Sequence, residues 1–299
     1  MKAKHIFITF SFLIAGITSY AQQINLYNQY GNITTPLNNA GSFLRSDGEI
    51  NFIGRQQWIG LDGAPESYRL SGSLPIGKKG IMAGLNMSHE VVAVERKSEV
   101  IAFAGKAVQL NTKHYLAVSL GIGISRYKGN YSELDVQDPV FGQDVKNTEG
   151  LLTLSALLYN PDKYYIGLSA PRVAFSKLGL SADNQRELYN PYHFMAGALI
   201  GISEDFDIKP AGLLTWSKDV GFQADLSAMF LLKKTIGLGA NIHTYGDMAG
   251  MVQFYAKRLN LGYSYQFNTN TQPLKRAIKN NTHEIVIGYR FGKGNISLL

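Results

Sequence analysis

Few groups in this 299-residue sequence are placed to do chemistry. His89, His114, His193 and His243 stand singly, without the spacing that gathers metal ligands, and His283-Glu284 opens the final strand with a histidine beside a carboxylate. Neighbours on a strand point to opposite faces, so that pair cannot hold a metal on one face. Ser and Asp are plentiful, yet no Gly-x-Ser-x-Gly elbow occurs and no His sits in a hydrolase setting. The chain has no Cys, which removes disulfides, thiolate metal sites and lipoprotein acylation. We expect no catalytic residue, no metal, no cofactor and no enzyme. Arg55 is the group to follow, because on a lumen-facing position it needs a carboxylate, with Glu49, Glu66 and Asp225 as the candidates.

The elements that must position these residues repeat with period two. In Leu259 to Phe267, Leu259, Leu261, Tyr263, Tyr265 and Phe267 share one face and Asn260, Gly262, Ser264 and Gln266 the other. Leu116, Val118, Leu120, Ile122 and Ile124 alternate in the same way with Ala117, Ser119, Gly121, Gly123 and Ser125. Helices would need apolar spacings of three and four. Such segments fall near 49–60, 66–76, 80–90, 97–110, 113–126, 149–160, 162–172, 191–203, 205–217, 220–232, 234–244, 247–257, 259–267 and 282–291. One face suits lipid and the other a wet lumen, and the even count of about 14 suits one closed antiparallel transmembrane β-barrel of the outer-membrane type. A soluble sandwich with this many strands would need two domains, and no linker divides the chain.

Short connections at Lys78-Lys79, Asn111-Thr112, Pro161-Asp162 and Lys233-Lys234 contrast with the long polar stretches Tyr127 to Thr148, Ala174 to Asn190 and Asn268 to Asn281. Parity of the connections puts all three long stretches at one end, which we take as extracellular. Many of the 17 Tyr and 15 Phe fall near strand ends, as aromatic girdles would.

The first residues read as an export signal: Lys2 and Lys4, an apolar run from Ile6 to Ile17, and Ser19-Tyr20-Ala21 before a cleavage at Gln22. The domain division is therefore 1–21 signal peptide, 22–48 a polar N-terminal segment in the periplasm or the lumen, and 49–299 the barrel. Without Lys2 and Lys4, Lys+Arg falls from 29 to 27 against 22 Asp+Glu, about +5, and the basic residues are scattered, which argues against a nucleic-acid surface.

Arg55-Gln56-Gln57-Trp58-Ile59-Gly60-Leu61-Asp62-Gly63-Ala64-Pro65 is the most distinctive string. It resembles the Arg-x-Gln-Trp-x-Gly-x-x-Gly-Ala-Pro hairpin of the PorP/SprF family of type IX secretion system membrane proteins. The resemblance extends to Tyr27-Asn28-Gln29-Tyr30, Pro191-Tyr192-His193, Ile208-Lys209-Pro210, Gln223-Ala224-Asp225-Leu226 and Thr282-His283-Glu284-Ile285, in order along the chain. Where the family carries Asn-Pro-Ala-Tyr-Ala-Gly near the mature start, this chain has Pro36-Leu37-Asn38-Asn39-Ala40-Gly41.

Physically, Gly60, Gly63, Ala64 and Pro65 suit a tight link between the first two strands, with Trp58 as an interfacial anchor. The resemblance implies a non-enzymatic component of type IX secretion and gliding in a Gram-negative, Bacteroidetes-type envelope. It would dock a secreted adhesin-like cargo through the cargo's C-terminal secretion domain and contact the secretion machinery. The expected cargo side comprises Asp135, Asp138 and Asp144 in one long loop and Lys275, Arg276 and Lys279 in another, whose opposite charges favour orientation of a partner. The alternative is a passive transporter for small hydrophobic solutes, which requires an apolar site inside the barrel.

Overall fold

Every strand of the described chain belongs to one sheet. The computed structural model describes residues 26–45, 47–77, 79–134, 143–161, 163–179, 190–218, 220–244, 246–268 and 281–292. The expected signal peptide, together with Asp135, Asp138, Lys275, Arg276 and Lys279, lies outside them. The strands are β1 (Gly48–Gln56), β2 (Glu66–Ile76), β3 (Ile81–Val92), β4 (Glu95–Gln109), β5 (Tyr115–Gly129), β6 (Val145–Asn160), β7 (Tyr164–Ala174), β8 (Tyr192–Ala198), β9 (Ile200–Gly201), β10 (Phe206–Ser217), β11 (Gly221–Leu232), β12 (Ile236–His243), β13 (Asp247–Ala256), β14 (Leu259–Asn268) and β15 (Thr282–Phe291). Each pairs antiparallel with its neighbours, and β1 closes onto β15 in unbroken register from Gly48↔Phe291 to Gln56↔His283. The short β8 and β9 both pair with β10 and make a single stave, so the barrel has 14 strands.

The break between β8 and β9 has a local cause. β10 pairs with β8 up to Ala211↔Gly197 and resumes with β9 at Ile208↔Ile200, so Pro210 faces the gap. Proline has no N–H to donate to a ladder, and the interrupted partner turns at Leu199, whose amide instead donates to the Lys163 carbonyl at 2.7 Å. The end of β1 is also set by backbone chemistry. Trp58 adopts φ +49° and Gly60 φ +94°, so the extended run read from the sequence as far as residue 60 stops at Gln56. β6 begins at Val145, earlier than apolar alternation alone locates it, because Val145–Thr148 is polar and pairs with Arg126–Gly129 of β5 at the strands' outer ends.

Alternation has the consequence expected of a membrane barrel. Leu120, Ile122, Ile124, Leu226 and Leu238 are exposed on the outside while Ser119, Ser125, Asp225 and Asn241 are buried inside. Exposed large apolar side chains recur on nearly every strand around the barrel, far more than a water-facing surface carries, and lipid is the solvent that suits them. Among the described residues no helix is long and apolar enough to cross a membrane. Connections 57–65, 130–144, 175–191 and 269–281 lie at one end, and the short 77–80, 110–114, 161–163, 233–235 and 257–258 at the other. The long-loop end is the outer one.

Inside the barrel lies residues 26–45. Leu26, Tyr27, Tyr30, Ile33, Leu37, Ala40, Phe43 and Leu44 are buried and pack on wall side chains that include Ile53, Met82, Leu157, Tyr165, Met195, Leu213 and Val286. This is the principal core of the molecule. The segment folds as turns and one 3₁₀ stretch, Asn39–Leu44, capped by Asn38, whose Oδ1 accepts from the Ala40 amide at 3.0 Å. Asn38 Nδ2 also donates to the wall carbonyls of Ala156 (3.3 Å) and Leu168 (3.2 Å), and Asn39 Nδ2 donates to Thr153 Oγ1 (2.9 Å). The wall makes room with small residues: a Cβ on Gly262 would stand 2.4 Å from Gln29 Oε1.

Candidate functional site

The motif arginine and the closing strand meet at the barrel seam. Register pairs Arg55 of β1 directly with Glu284 of β15. Both side chains are almost wholly buried, 3% and 0% exposed, with Nη1 3.5 Å from Oε2. The same carboxylate accepts the backbone amides of Asn28 (2.9 Å) and Gln29 (3.2 Å). Arg55 in turn donates to the Leu26 carbonyl and, at 2.8 Å, to Gln266 Oε1, whose Nε2 donates to Asp247 Oδ2 at 2.7 Å. A buried charge is tolerated when paired and hydrogen-bonded, and both terminal nitrogens of this one are met by β14, β15 and the inner segment together.

Glu284 is therefore the partner of Arg55, in place of Glu49, Glu66 or Asp225. Glu49 is taken by Arg45 at 2.9 Å and Thr35 at 3.1 Å, and Glu66 lies on the outer face, where it accepts from Tyr68 at 3.0 Å. Asp225 holds His243 Nδ1, while His243 Nε2 meets Asn28 Oδ1 at 3.0 Å. Asn28 also donates through Nδ2 to Ser264 (3.0 Å) and accepts on its carbonyl from Asn241 (3.2 Å). Arg55 sits near the outer end of β1 and Glu49 near the inner end. The inner segment consequently starts at the outer end of the lumen with Leu26 and descends to Arg45 at the inner end.

The remaining motif residues divide between lumen and wall. His193 is buried with Nδ1 2.9 Å from Thr215 Oγ1, whereas His283 lies on the outer face with Nδ1 2.7 Å from the Tyr263 hydroxyl. The two residues of the His283-Glu284 pair thus face opposite sides. Where His243 Nε2 would meet a nucleophile in a triad it meets an asparagine. His89 does approach a serine, Ser98, at 2.8 Å on the outer face, but among the described residues it has no carboxylate to orient it. No group of three His, Asp or Glu placed to hold a metal ion occurs among the described residues.

The hairpin between β1 and β2 is held by its own backbone. Gln57 donates to the Pro65 carbonyl (2.9 Å), Leu61 to Trp58 (3.0 Å) and Ala64 to Leu61 (3.2 Å). It docks on the neighbouring β3–β4 turn, where the Ala93 amide donates to the Gly63 carbonyl at 2.9 Å. Gly63 has φ +72°, and a Cβ there would stand 3.2 Å from the Ala93 Cα and Cβ. Gly63→Val is expected to destabilise the barrel by about 1–2 kcal/mol, because a β-branched residue is strained in that region. A lower urea midpoint for loss of the compact electrophoretic form would register it, and an unchanged midpoint would refute the strain argument. Of the expected cargo-side acids, Asp144 is described: it is exposed and accepts from the Ser132 hydroxyl (2.8 Å) and amide (3.2 Å), which hold its carboxyl below the usual carboxylate range.

The sequence alone gave no contact role to Asn28, Gln29, Arg45, Gln266 or Asp247. The string Tyr27-Asn28-Gln29-Tyr30 was the available signal, since its polar side chains are too many for a strand in lipid and need partners of their own.

Residues 19–289 match the family described as type IX secretion system membrane protein PorP/SprF. No curated protein matches the chain. Among solved structures, the chain is similar to the outer membrane protein Omp33 of Acinetobacter baumannii, at 9% identity over 83% of this chain and 99% of that one, with a TM-score of 0.49. It is similar to a FadL homologue of Pseudomonas aeruginosa at 10% identity over 87% and 94%, with a TM-score of 0.49. A third similarity is to BamA from Haemophilus ducreyi, at 9% identity over 83% and 71%, with a TM-score of 0.44.

Proposed function

We propose, from the premise that this chain belongs to the PorP/SprF family of type IX secretion system membrane proteins, that it docks a secreted surface protein at the outer mouth of its barrel. The chain is an outer-membrane component of type IX secretion, associated with that machinery. In the proposed reading it is exported with cleavage before Gln22 and catalyses nothing. It holds the C-terminal secretion domain of an adhesin-like cargo at the long-loop end, in support of surface anchoring and gliding.

The observation that favours docking over passive transport is the filled lumen. Residues 26–45 occupy the space through which a solute would pass and are fixed by hydrogen bonds to at least eight wall side chains and carbonyls, from Glu284, Ser264, Asn241 and His243 to Ser155, Thr153, Ala156 and Leu168. With the interior closed, the surfaces left for work are the two ends. Connections 130–144 and 269–281, which carry the opposite charges read from the sequence, both belong to the outer end.

A mild-detergent pull-down of the tagged barrel from its own outer membrane is expected to retain a large secreted protein with a type IX C-terminal domain. Deleting the barrel is expected to release that protein into the medium, and Asp144→Lys to weaken its retention. Recovery of the barrel alone, with normal surface display in the deletion strain, would sink the docking role.

A further inference from the structure

We propose that the outer wall between β3 and β8 carries a site for one glycerophospholipid of the periplasmic leaflet, with Lys106 on its phosphate and an acyl chain in the groove beside it. Lys106 is exposed on the outward face of β4. Along that face it stands between Ala104 and Val108, and across the ladder it pairs with Ile81 and Val118. Other outward-facing charges, such as Arg96 and Lys146, sit at the outer ends of their strands, where headgroups and water are at hand. Lys106 instead sits within the apolar band, and no described residue forms a hydrogen bond or ion pair with its ammonium. A bare charge on a lipid-facing strand is costly, so the group requires an anion that the membrane itself supplies.

The second observation is the shape of the wall next to it. A groove of about 880 Å³ crosses the strands from Lys106 toward Tyr192, within the ~300–1,000 Å³ typical of sites for small ligands. Its floor is lowered by alanines at 104, 156 and 170, while Leu120 and Leu168 raise its sides. Its surface is almost wholly apolar apart from the ammonium at one end. An apolar trough ending in a positive charge is complementary to an acyl chain ending in a phosphate. Depth selects the leaflet: Lys106 precedes the end of β4 at Gln109 by three residues, about 10 Å along the strand, at the short-turn end that faces the periplasm.

The test uses the full barrel, stripped of lipid in detergent, incubated with phosphatidylglycerol and weighed by native mass spectrometry. One retained phosphatidylglycerol is expected for the unaltered protein and for Lys106→Arg. Retention is expected to fall roughly five- to ten-fold in Lys106→Gln. Ala156→Phe, which fills the groove and leaves the charge, is expected to lose it as well, and either variant alone suffices if the other fails to insert. Lys113→Gln, in the neighbouring turn, is expected to behave as the unaltered protein. Retention by Lys106→Gln and Ala156→Phe as strong as that of the unaltered barrel, or no retention by the unaltered barrel, overturns the site. Capture of lipid A in preference to phosphatidylglycerol overturns the assignment to the periplasmic leaflet.

Discussion

Glu284→Ala is expected to cost the barrel about 3–5 kcal/mol, the largest effect of any single substitution considered. The change leaves Arg55, 3% exposed, without its counter-charge. It also strips the acceptor from the backbone amides of Asn28 and Gln29, and a buried donor left unsatisfied costs about 1–3 kcal/mol on its own. Much of the loss belongs to the orphaned partner, not to the net value of the pair, so removing both charges is expected to cost far less. Arg55→Met combined with Glu284→Leu should recover more than half of the single-variant loss, because a matched apolar pair imposes no desolvation. Urea titrations of the folded band in lipid, run on both singles and the double, give the coupling directly. If Glu284→Ala alone shifts the midpoint no more than a surface change does, the seam pair does not hold the inner segment.

How far this arrangement was legible in the sequence depends on which interactions are local. Period-two patterning is local, and it located all of the staves, including β14 with Leu259, Leu261, Tyr263, Tyr265 and Phe267 outside. Strand ends were less legible because they answer to backbone exceptions: the positive φ at Trp58, the missing N–H of Pro210, and polar strand ends that run past the bilayer at Val145–Thr148. The partner of Arg55 was not legible at all. Closure in one particular register brings residue 55 against residue 284, and no local pattern encodes it. Glu49 and Asp225 were reasonable candidates by type, but each was already committed, to Arg45 and His243.

The inner segment was read as a polar stretch in the periplasm or the lumen, but its contacts were not legible, for a related reason. Its buried residues follow neither a helical nor a strand period, because turns and a 3₁₀ stretch fit them to a cavity whose shape the other elements define. The mixture of Leu26, Tyr27, Tyr30, Ile33 and Leu37 with Asn28, Gln29, Asn32, Asn38 and Asn39 makes sense only against a wall that is itself mixed. The asparagines bond wall carbonyls and side chains while the apolar residues pack between them.

Deleting residues 26–45 is expected to convert a closed barrel into a conducting one. Barrels of about eight strands are filled by their own side chains, and those of 16–18 strands enclose an aqueous channel, so a 14-stranded wall lies where a plug decides the outcome. With the segment gone, Asn51, Ser71, Ser119, Ser155, Asn241 and Gln253 would line the lumen, which is polar enough to fill with water. The sheet does not depend on the segment for its ladder, since β1 and β15 close through their own backbone pairing. Water entering the lumen would also solvate Arg55 and Glu284, so the penalty expected of Glu284→Ala is largely avoided in this variant. The deleted form should therefore insert, with lower stability from the lost apolar core, and show single-channel steps in planar bilayers where the full chain shows none. Steps from the full chain would refute the plug, as would a folded deletion variant without any. Cargo display in the same strain then separates two roles. Display that survives makes the segment a seal, whereas display lost from a folded, inserted barrel makes its outer end, at Leu26 to Gln29, part of the docking surface.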